Sequence, residues 1–79
     1  RLYPNPNNGT FTLYIKLIDQ QNVIVEILST SAGYSIYRNE LKGSDNYNTT
    51  IGLSGQPSGV YTLKITTRRQ VKFIHFILI

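Results

Sequence analysis

Few side chains in this 79-residue chain could carry out chemistry, and they are dispersed. His75 is the only histidine, the residue type that most often serves as a general base or a metal ligand near neutral pH. Neither a second histidine nor a cysteine could act as a second ligand, and no carboxylate lies close to His75 in the sequence. A lone histidine on a predicted strand is typical of a structural or partner-facing position.

The other polar residues also lack a catalytic pattern. The acidic residues are expected to be solvated charges in loops or at strand edges, and they are Asp19, Glu26, Glu40 and Asp45. The serines lie in turns without a nucleophile-elbow motif, and the glycines are too isolated to form a phosphate-binding loop. The sequence therefore predicts a protein that is not an enzyme and that needs no metal and no cofactor.

Six tyrosines are distributed among eight basic residues, a combination that can stack and hold single-stranded nucleic acid. However, Tyr61 shares a predicted strand face with Leu63 and Ile65, which indicates a core position. Tyr3 and Tyr47 lie beside turns, where rings commonly cover the end of a sandwich. No RNA-binding signature is present and the net charge of +4 is dispersed, so we expect no nucleic-acid partner.

The length of the chain allows one domain with a small core. A chain of this size buries only about 60% of the surface that its unfolded form exposes, so its stability margin is thin. Without cysteine, no disulfide can add to that core. No apolar run approaches the length of a transmembrane helix, and residues 1–4 do not resemble a signal peptide.

Alternation of apolar and polar residues predicts an all-β fold, because no segment shows helical periodicity. The predicted strands cover residues 10–16, 23–28, 34–41, 47–53, 60–66 and 71–79. The predicted turns that separate them cover residues 19–22, 29–33, 42–46, 55–59 and 67–70. Short strands at this spacing are typical of a small antiparallel β-sandwich of about six to seven strands.

Three blocks of the chain carry a family resemblance. The first is the Tyr-Pro-Asn-Pro segment with its following glycine and phenylalanine, the second surrounds Gly33, and the third covers residues 51–65. In this order the blocks resemble the C-terminal sorting domain (type A) of proteins exported by the type IX secretion system of Bacteroidetes-type bacteria, the Por secretion system family. The resemblance covers essentially the whole chain, and its motif residues are Tyr3, Pro4, Asn5, Pro6, Gly9, Phe11, Gly33, Leu53, Pro57, Gly59, Tyr61 and Leu63.

The resemblance implies an immunoglobulin-like antiparallel β-sandwich, in which residues 1–79 form a single sorting domain at the end of a larger secreted cargo protein. It implies a secretion signal that the type IX machinery recognises at the outer membrane and that a sortase usually removes. The implied partners are outer-membrane components, including the shuttle protein and the sortase, and the covalently linked upstream cargo. The implied location is the medium or the cell surface of a Gram-negative bacterium, reached through the periplasm and the outer membrane.

The chain departs from the family pattern in two places. The loop before Gly33 contains no acidic residue and is expected to be a residue longer, which leaves the register of the second and third predicted strands open. The family tends to carry lysine just before its terminal apolar residues, whereas His75 occupies that place here. Either the recognition element tolerates this change, or its positive charge is supplied by Lys72, Arg68 and Arg69.

The run from residue 73 to residue 79 is apolar on both faces of the predicted strand, except at His75. One interpretation is a strand that is buried on both sides. The other is a strand that stays partly accessible and docks on the secretion machinery, by extending a partner sheet or by inserting rings into a groove. The residues predicted to bind partners are Lys72, Phe73, His75, Phe76, Ile77, Leu78 and Ile79.

Two further expectations follow from that run. Trimming residues 76–79 is expected to abolish export and to leave a folded domain. An unprotected apolar strand also favours domain swapping, so a dimer through the terminal strand is expected.

Two prolines on either side of Asn5 predict a stiff, extended segment at the start of the domain. Such a segment could keep an upstream linker open to a sortase. Alternatively, it could seal a sheet edge, because proline blocks strand pairing. We favour sealing.

The main rival function is a surface adhesion or carbohydrate-binding β-sandwich that stays on the mature protein. That function needs an exposed aromatic platform, for example Tyr14, Tyr34 and Tyr37 on one face.

Overall fold

The computed structural model describes residues 1–30 and 33–79, and β-strands make up most of that part of the chain. The strands are β1 (Leu2–Tyr3), β2 (Thr10–Ser29), β3 (Ser35–Gly52), β4 (Gly59–Thr66) and β5 (Val71–Leu78). The described residues include no helix, and so none that is long and apolar enough to cross a membrane. The predicted all-β class is confirmed.

The strands form one antiparallel sheet that curls over a single core. β2 pairs with β3 along its length, with the first half of β2 opposite the end of β3 and the second half opposite its beginning. β1 adds to the first half of β2, whereas β4 adds to the second half and β5 follows β4 at the edge. A parallel bridge between Asn7 and Leu78 connects the segment before β2 with that edge.

The strand count is lower than the six to seven expected from the sequence, because two predicted turns are not chain reversals. β2 continues through residues 19–22, and β3 continues through residues 42–46. In this region the pairing register shifts between Lys16 and Gln21, and again between Gln21 and Val23. Such register shifts are β-bulges, which increase the local twist and bend the paired strands. The polar residues therefore mark a bend in two long strands, not two hairpins.

The core lies between the two halves of the curled sheet. Its buried apolar side chains are Phe11, Leu13, Ile15, Val23, Val25, Ile27, Ile51, Leu53, Tyr61, Leu63, Ile65, Phe76 and Leu78. The centroid of the Phe76 ring lies 4.9 Å from that of Phe11 and 5.9 Å from that of Tyr61. Because Phe11 and Phe76 belong to strands that do not pair, their contact shows that one part of the sheet covers the other.

The predicted reversal at residues 67–70 is confirmed as the connection between β4 and β5. The Thr67 N–H donates to the Gln70 carbonyl oxygen at 2.9 Å, and Thr66 pairs with Val71.

The connection between β2 and β3 contains the loop whose register the sequence left open. Ser31 and Ala32 lie outside the described residues. On either side of them, Ile27 pairs with Tyr37 and Leu28 pairs with Ser35, so the register shifts by a bulge. With this register the inward-facing residues Val25 and Ile27 of β2 are buried, and the predicted extra length of the loop falls on residues outside the described ranges.

Phe76→Ala is expected to destabilise the domain strongly, because the Phe76 side chain is buried against the rings of Phe11 and Tyr61. Truncation of a buried phenylalanine costs about 3–5 kcal/mol, and small domains have only about 5–15 kcal/mol of stability. Urea denaturation measures the loss. Phe73→Ala is the matched control on the same strand, because Phe73 is 56% exposed. Equal losses in the two variants would contradict this assignment of the core.

Candidate functional site

The last strand has two different faces, because β5 lies at the edge of the sheet and meets the core on one side only. Its inward-facing residues Phe76 and Leu78 are buried, and Ile74 packs against the same core. The residues that alternate with them are exposed, and they are Val71, Phe73, His75, Ile77 and Ile79. The terminal run is therefore buried on one side and accessible on the other.

The exposed residues of β5 continue onto β4. Val60 pairs with Ile77 and is half-exposed. Thr62 pairs with His75, and the Thr62 hydroxyl oxygen lies 3.0 Å from His75 Nδ1, within hydrogen-bond distance. We call this surface the β5 face, and it comprises Val60, Val71, Phe73, His75, Ile77 and Ile79. Exposed apolar surface of this kind is typical of interaction sites.

The residues predicted to bind a partner divide between the two sides of β5. Those that the structure leaves exposed are Lys72, Phe73, His75, Ile77 and Ile79. Phe76 and Leu78 lie in the core, so a partner that binds the folded domain has no access to them. Trimming residues 76–79 removes both core side chains, and the trimmed domain is expected to unfold instead of staying folded as the sequence suggested.

The His75 side chain is placed to form a hydrogen bond on the surface of the sheet. Its ring contacts the neutral hydroxyl of Thr62. In the described ranges, 1–30 and 33–79, no group of three or more His, Cys, Asp and Glu side chains is placed to hold a metal ion. On the β5 face His75 therefore supplies a polar group within an apolar surface.

The proline-containing segment before β2 covers the outer edge of β5. The Ile77 N–H donates to Asn5 Oδ1 at 3.0 Å, and the Asn7 N–H donates to the Ile77 carbonyl oxygen at 3.0 Å. The Ile79 N–H donates to the Asn7 carbonyl oxygen at 2.8 Å. These bonds satisfy the main-chain groups that an edge strand otherwise offers to another chain. The structure thus agrees with the sealing role favoured from the sequence.

Asn7 holds this segment in shape, and the sequence analysis did not single it out. Its side chain is buried, donates from Nδ2 to the Pro4 carbonyl oxygen at 3.1 Å and accepts at Oδ1 from the Gly9 N–H at 2.9 Å. An asparagine two residues before a glycine is a common turn signal, because its side chain can bond to the backbone two residues ahead. That spacing is the signal that could have identified Asn7.

Several residues of the family motif support the backbone. The Tyr61 hydroxyl donates to the Pro57 carbonyl oxygen, and this link from a strand back to its preceding turn is similar to the tyrosine corner of immunoglobulin-like sandwiches. Gly9 and Gly59 have φ angles of 109° and 151°, which favour glycine. Leu53 is buried. Of the other motif residues, Phe11 and Leu63 are buried, whereas Tyr3, Pro4, Asn5, Pro6 and Gly33 are exposed.

Arg68 and Arg69, considered above as a source of charge for recognition, are engaged by Asp19. Their Nη2 atoms lie 2.9 Å and 2.7 Å from Asp19 Oδ2, and Gln21 Nε2 donates to Asp19 Oδ1 at 2.6 Å. Desolvation raises the pKa of the Asp19 carboxyl, but the hydrogen bonds from Gln21 and Arg69 and the charges of both arginines lower it below its ordinary value. This cluster attaches the β4–β5 connection to the bulged part of β2.

The aromatic platform required by the rival adhesion function is not formed by the tyrosines proposed for it. Tyr14 is exposed between the buried residues Leu13 and Ile15, so it points away from the core. Tyr37 packs against the core, and Tyr34 lies in the connection between β2 and β3. The three rings therefore do not share one face.

In a comparison with known protein families, the family model described as the secretion system C-terminal sorting domain matches residues 1–79. A search of curated proteins finds no match.

Lowering the pH is expected to weaken the domain through Asp19. Its folded-state pKa lies below the ordinary value of 3.8, so its contribution to stability is present above that value and is lost as the pH falls through the folded-state pKa. Asp19→Asn should therefore lose less stability than the wild type when urea denaturation is compared at about pH 5 and about pH 2. Asp45→Asn, at an exposed carboxyl, is the control. The same pH dependence in wild type and Asp19→Asn would contradict this role.

Asn5→Ala is expected to open the edge of β5, because it removes the acceptor of the Ile77 N–H. The loss of such a bond costs about 0.5–1.5 kcal/mol, and an open edge can pair with a second chain. Thermal denaturation should show a lower midpoint, and sedimentation should show self-association. Asn8→Ala is the matched control, since Asn8 is exposed in the same segment. Unchanged stability and mass for Asn5→Ala would argue against sealing.

Proposed function

The chain belongs to the family of secretion system C-terminal sorting domains, and we propose that the type IX secretion machinery recognises it as a folded domain through the β5 face. Membership of this family makes it a sorting signal for type IX secretion, attached to a cargo protein and directing export or surface display in Bacteroidetes-type bacteria. The family is not a catalytic one. In the proposal, components at the outer membrane, including the shuttle protein, bind the domain, and a sortase then removes it from the cargo.

The β5 face supports this proposal because it is apolar, exposed and held in place by the core. Phe73 and Ile79 are the most exposed of the apolar side chains of the β5 face, at 56% and 70%. Full burial of such a side chain contributes about 1.5–3 kcal/mol, so a partner groove that covers both gains substantial affinity. The core residue Phe76, on the opposite side of the strand, fixes the position of that face relative to the rest of the domain.

The sealed edge favours recognition of side chains over addition of a strand. Near the end of β5, the main-chain groups of Ile77 already bond to Asn5 and Asn7. A partner that extended the sheet there would first have to displace those bonds. Insertion of Phe73 and Ile79 into a groove requires no such change, and we propose this mode.

One polar residue adds specificity to the β5 face. The Thr62 hydroxyl lies within hydrogen-bond distance of His75 Nδ1, and the second ring nitrogen of His75 remains for a hydrogen bond with the machinery. Lys72 is exposed on the other side of the strand, where it lines a cleft with Ile65 and Ile74. In the proposal, Lys72 therefore supplies positive charge beside the β5 face and is not part of that face.

A dimer through the terminal strand competes for the same surface. The bonds from Asn5 and Asn7 close the strand edge near Ile77, so we propose the monomer as the form that is recognised. Dimerisation then belongs to a state in which that edge is open.

Export of a reporter fused to residues 1–79 tests the proposal in a host that has type IX secretion. The wild-type fusion should reach the surface or the medium, whereas the double variant Phe73→Ser, Ile79→Ser should stay inside the cell. Ile18→Ser is the matched control, because Ile18 is 86% exposed on β2 and lies outside the β5 face. Exposed substitutions change stability by only about 0.5 kcal/mol, so all three fusions should melt alike.

The outcomes separate the possibilities clearly. Normal export of the double variant would exclude the β5 face from recognition, and equal loss with Ile18→Ser would indicate an effect unrelated to that face. The mass of the exported reporter shows whether the domain is removed. Export with the domain still attached, and unaltered by any of these substitutions, would favour a retained adhesion module.

A further inference from the structure

The pairing between β1 and β2 extends one residue before the start of β1, to Arg1. The Arg1 main-chain nitrogen donates to the Tyr14 carbonyl oxygen at 2.6 Å, and the Tyr14 N–H donates to the Arg1 carbonyl oxygen at 2.7 Å. Leu2 pairs with Leu13 next to it. The pairing geometry between β1 and β2 is therefore regular up to the first residue.

β2 continues past this pair with an open edge. In an antiparallel ladder every second residue directs both its N–H and its carbonyl oxygen to the same neighbouring strand. Tyr14 directs these groups to β1, so Lys16 directs its own groups to the same side. In the described part of the chain, no β1 residue stands opposite Ile15 or Lys16.

A cleft of about 190 Å³ is lined by Arg1 and by residues 14–17 of β2. Ile15 of β2 and Ile65 and Ile74 of the opposite side of the sheet form its apolar lining. Arg1, Lys16 and Lys72 supply basic groups, and none of the residues that line it is acidic. The cleft thus suits an extended chain with an apolar side chain directed inward and an acidic group nearby.

We propose that the polypeptide linking the cargo to Arg1 continues β1 along β2 and occupies this cleft. The first upstream residue stands opposite Ile15 and directs its side chain into the cleft, as Leu2 does toward the core. The second upstream residue exchanges both main-chain hydrogen bonds with Lys16. This inference rests on the attachment to an upstream cargo that the proposed function includes.

The consequence is that the linker next to Arg1 belongs to the folded domain. A protease needs an extended, accessible chain, and main-chain groups that are already paired with Lys16 are not available to it. Cleavage that releases the cargo therefore takes place further upstream than the second residue.

Hydrogen exchange of the Lys16 amide in the cargo–domain precursor tests the inference. The Lys16 amide should exchange at least about 100-fold more slowly than the Phe73 amide, since stable pairing protects an edge amide. Phe73 is the matched reference, because it lies on the outer edge of β5, beyond the bonds that Asn5 and Asn7 make at Ile77. Equal exchange of Lys16 and Phe73 in the precursor would overturn the inference.

A proline variant makes the test specific for the linker. Proline at the second upstream position removes the N–H that donates to the Lys16 carbonyl oxygen. Loss of this bond should open the pair, so that the Lys16 amide exchanges as fast as the Phe73 amide. Proline at the sixth upstream position is the control and should leave Lys16 protected. The amides of Val25 and Leu63, in the buried part of the sheet, report whether each variant is folded.

Other occupants of the cleft give different results, and each would overturn the inference. A second copy of the chain would protect Lys16 only at concentrations at which the precursor dimerises. A partner protein would protect it only when the secretion machinery is added. The exchange assay is independent of export, so a precursor that is exported normally with an unprotected Lys16 rejects this inference without affecting the proposed function.

Discussion

Phe76 reaches from the last strand to the first long strand, where its ring meets Phe11, while on its own side of the sheet it stacks with Tyr61. Contacts between residues this far apart in sequence hold the curled sheet closed, because neither β4 nor β5 pairs with the first half of β2. The chain has no disulfide to take over this task. Closure of the curled sheet therefore depends on this aromatic packing, which also fixes the position of the outward side of β5.

The fold class and most of the core could be predicted because strand geometry alternates side chains between two faces. Phe11, Leu13 and Ile15 were expected on one face and are all buried, as are Tyr61, Leu63 and Ile65. The number of strands could not be predicted in the same way. Residues 19–22 have the composition of a turn. They belong to a bulged strand because this stretch of β2 pairs with β3, and their own composition does not show that long-range pairing.

The sequence of β5 alone does not show which of its residues face the core and which face outward. The run from Phe73 to Ile79 is apolar at almost every position, so no alternation distinguishes inward from outward residues. The register with β4 makes that distinction, since Tyr61 stands beside Phe76 and Val60 beside Ile77. Long-range pairing of this kind is set by the whole sheet and has no local signature.

The bond between Asn5 and Ile77 places the start of the domain against its final strand. The same entry segment is attached to β2 on its other side, through the two hydrogen bonds between Arg1 and Tyr14. The upstream end of the domain and its last strand are therefore held to each other through residues 1–7, so a displacement of one is transmitted to the other.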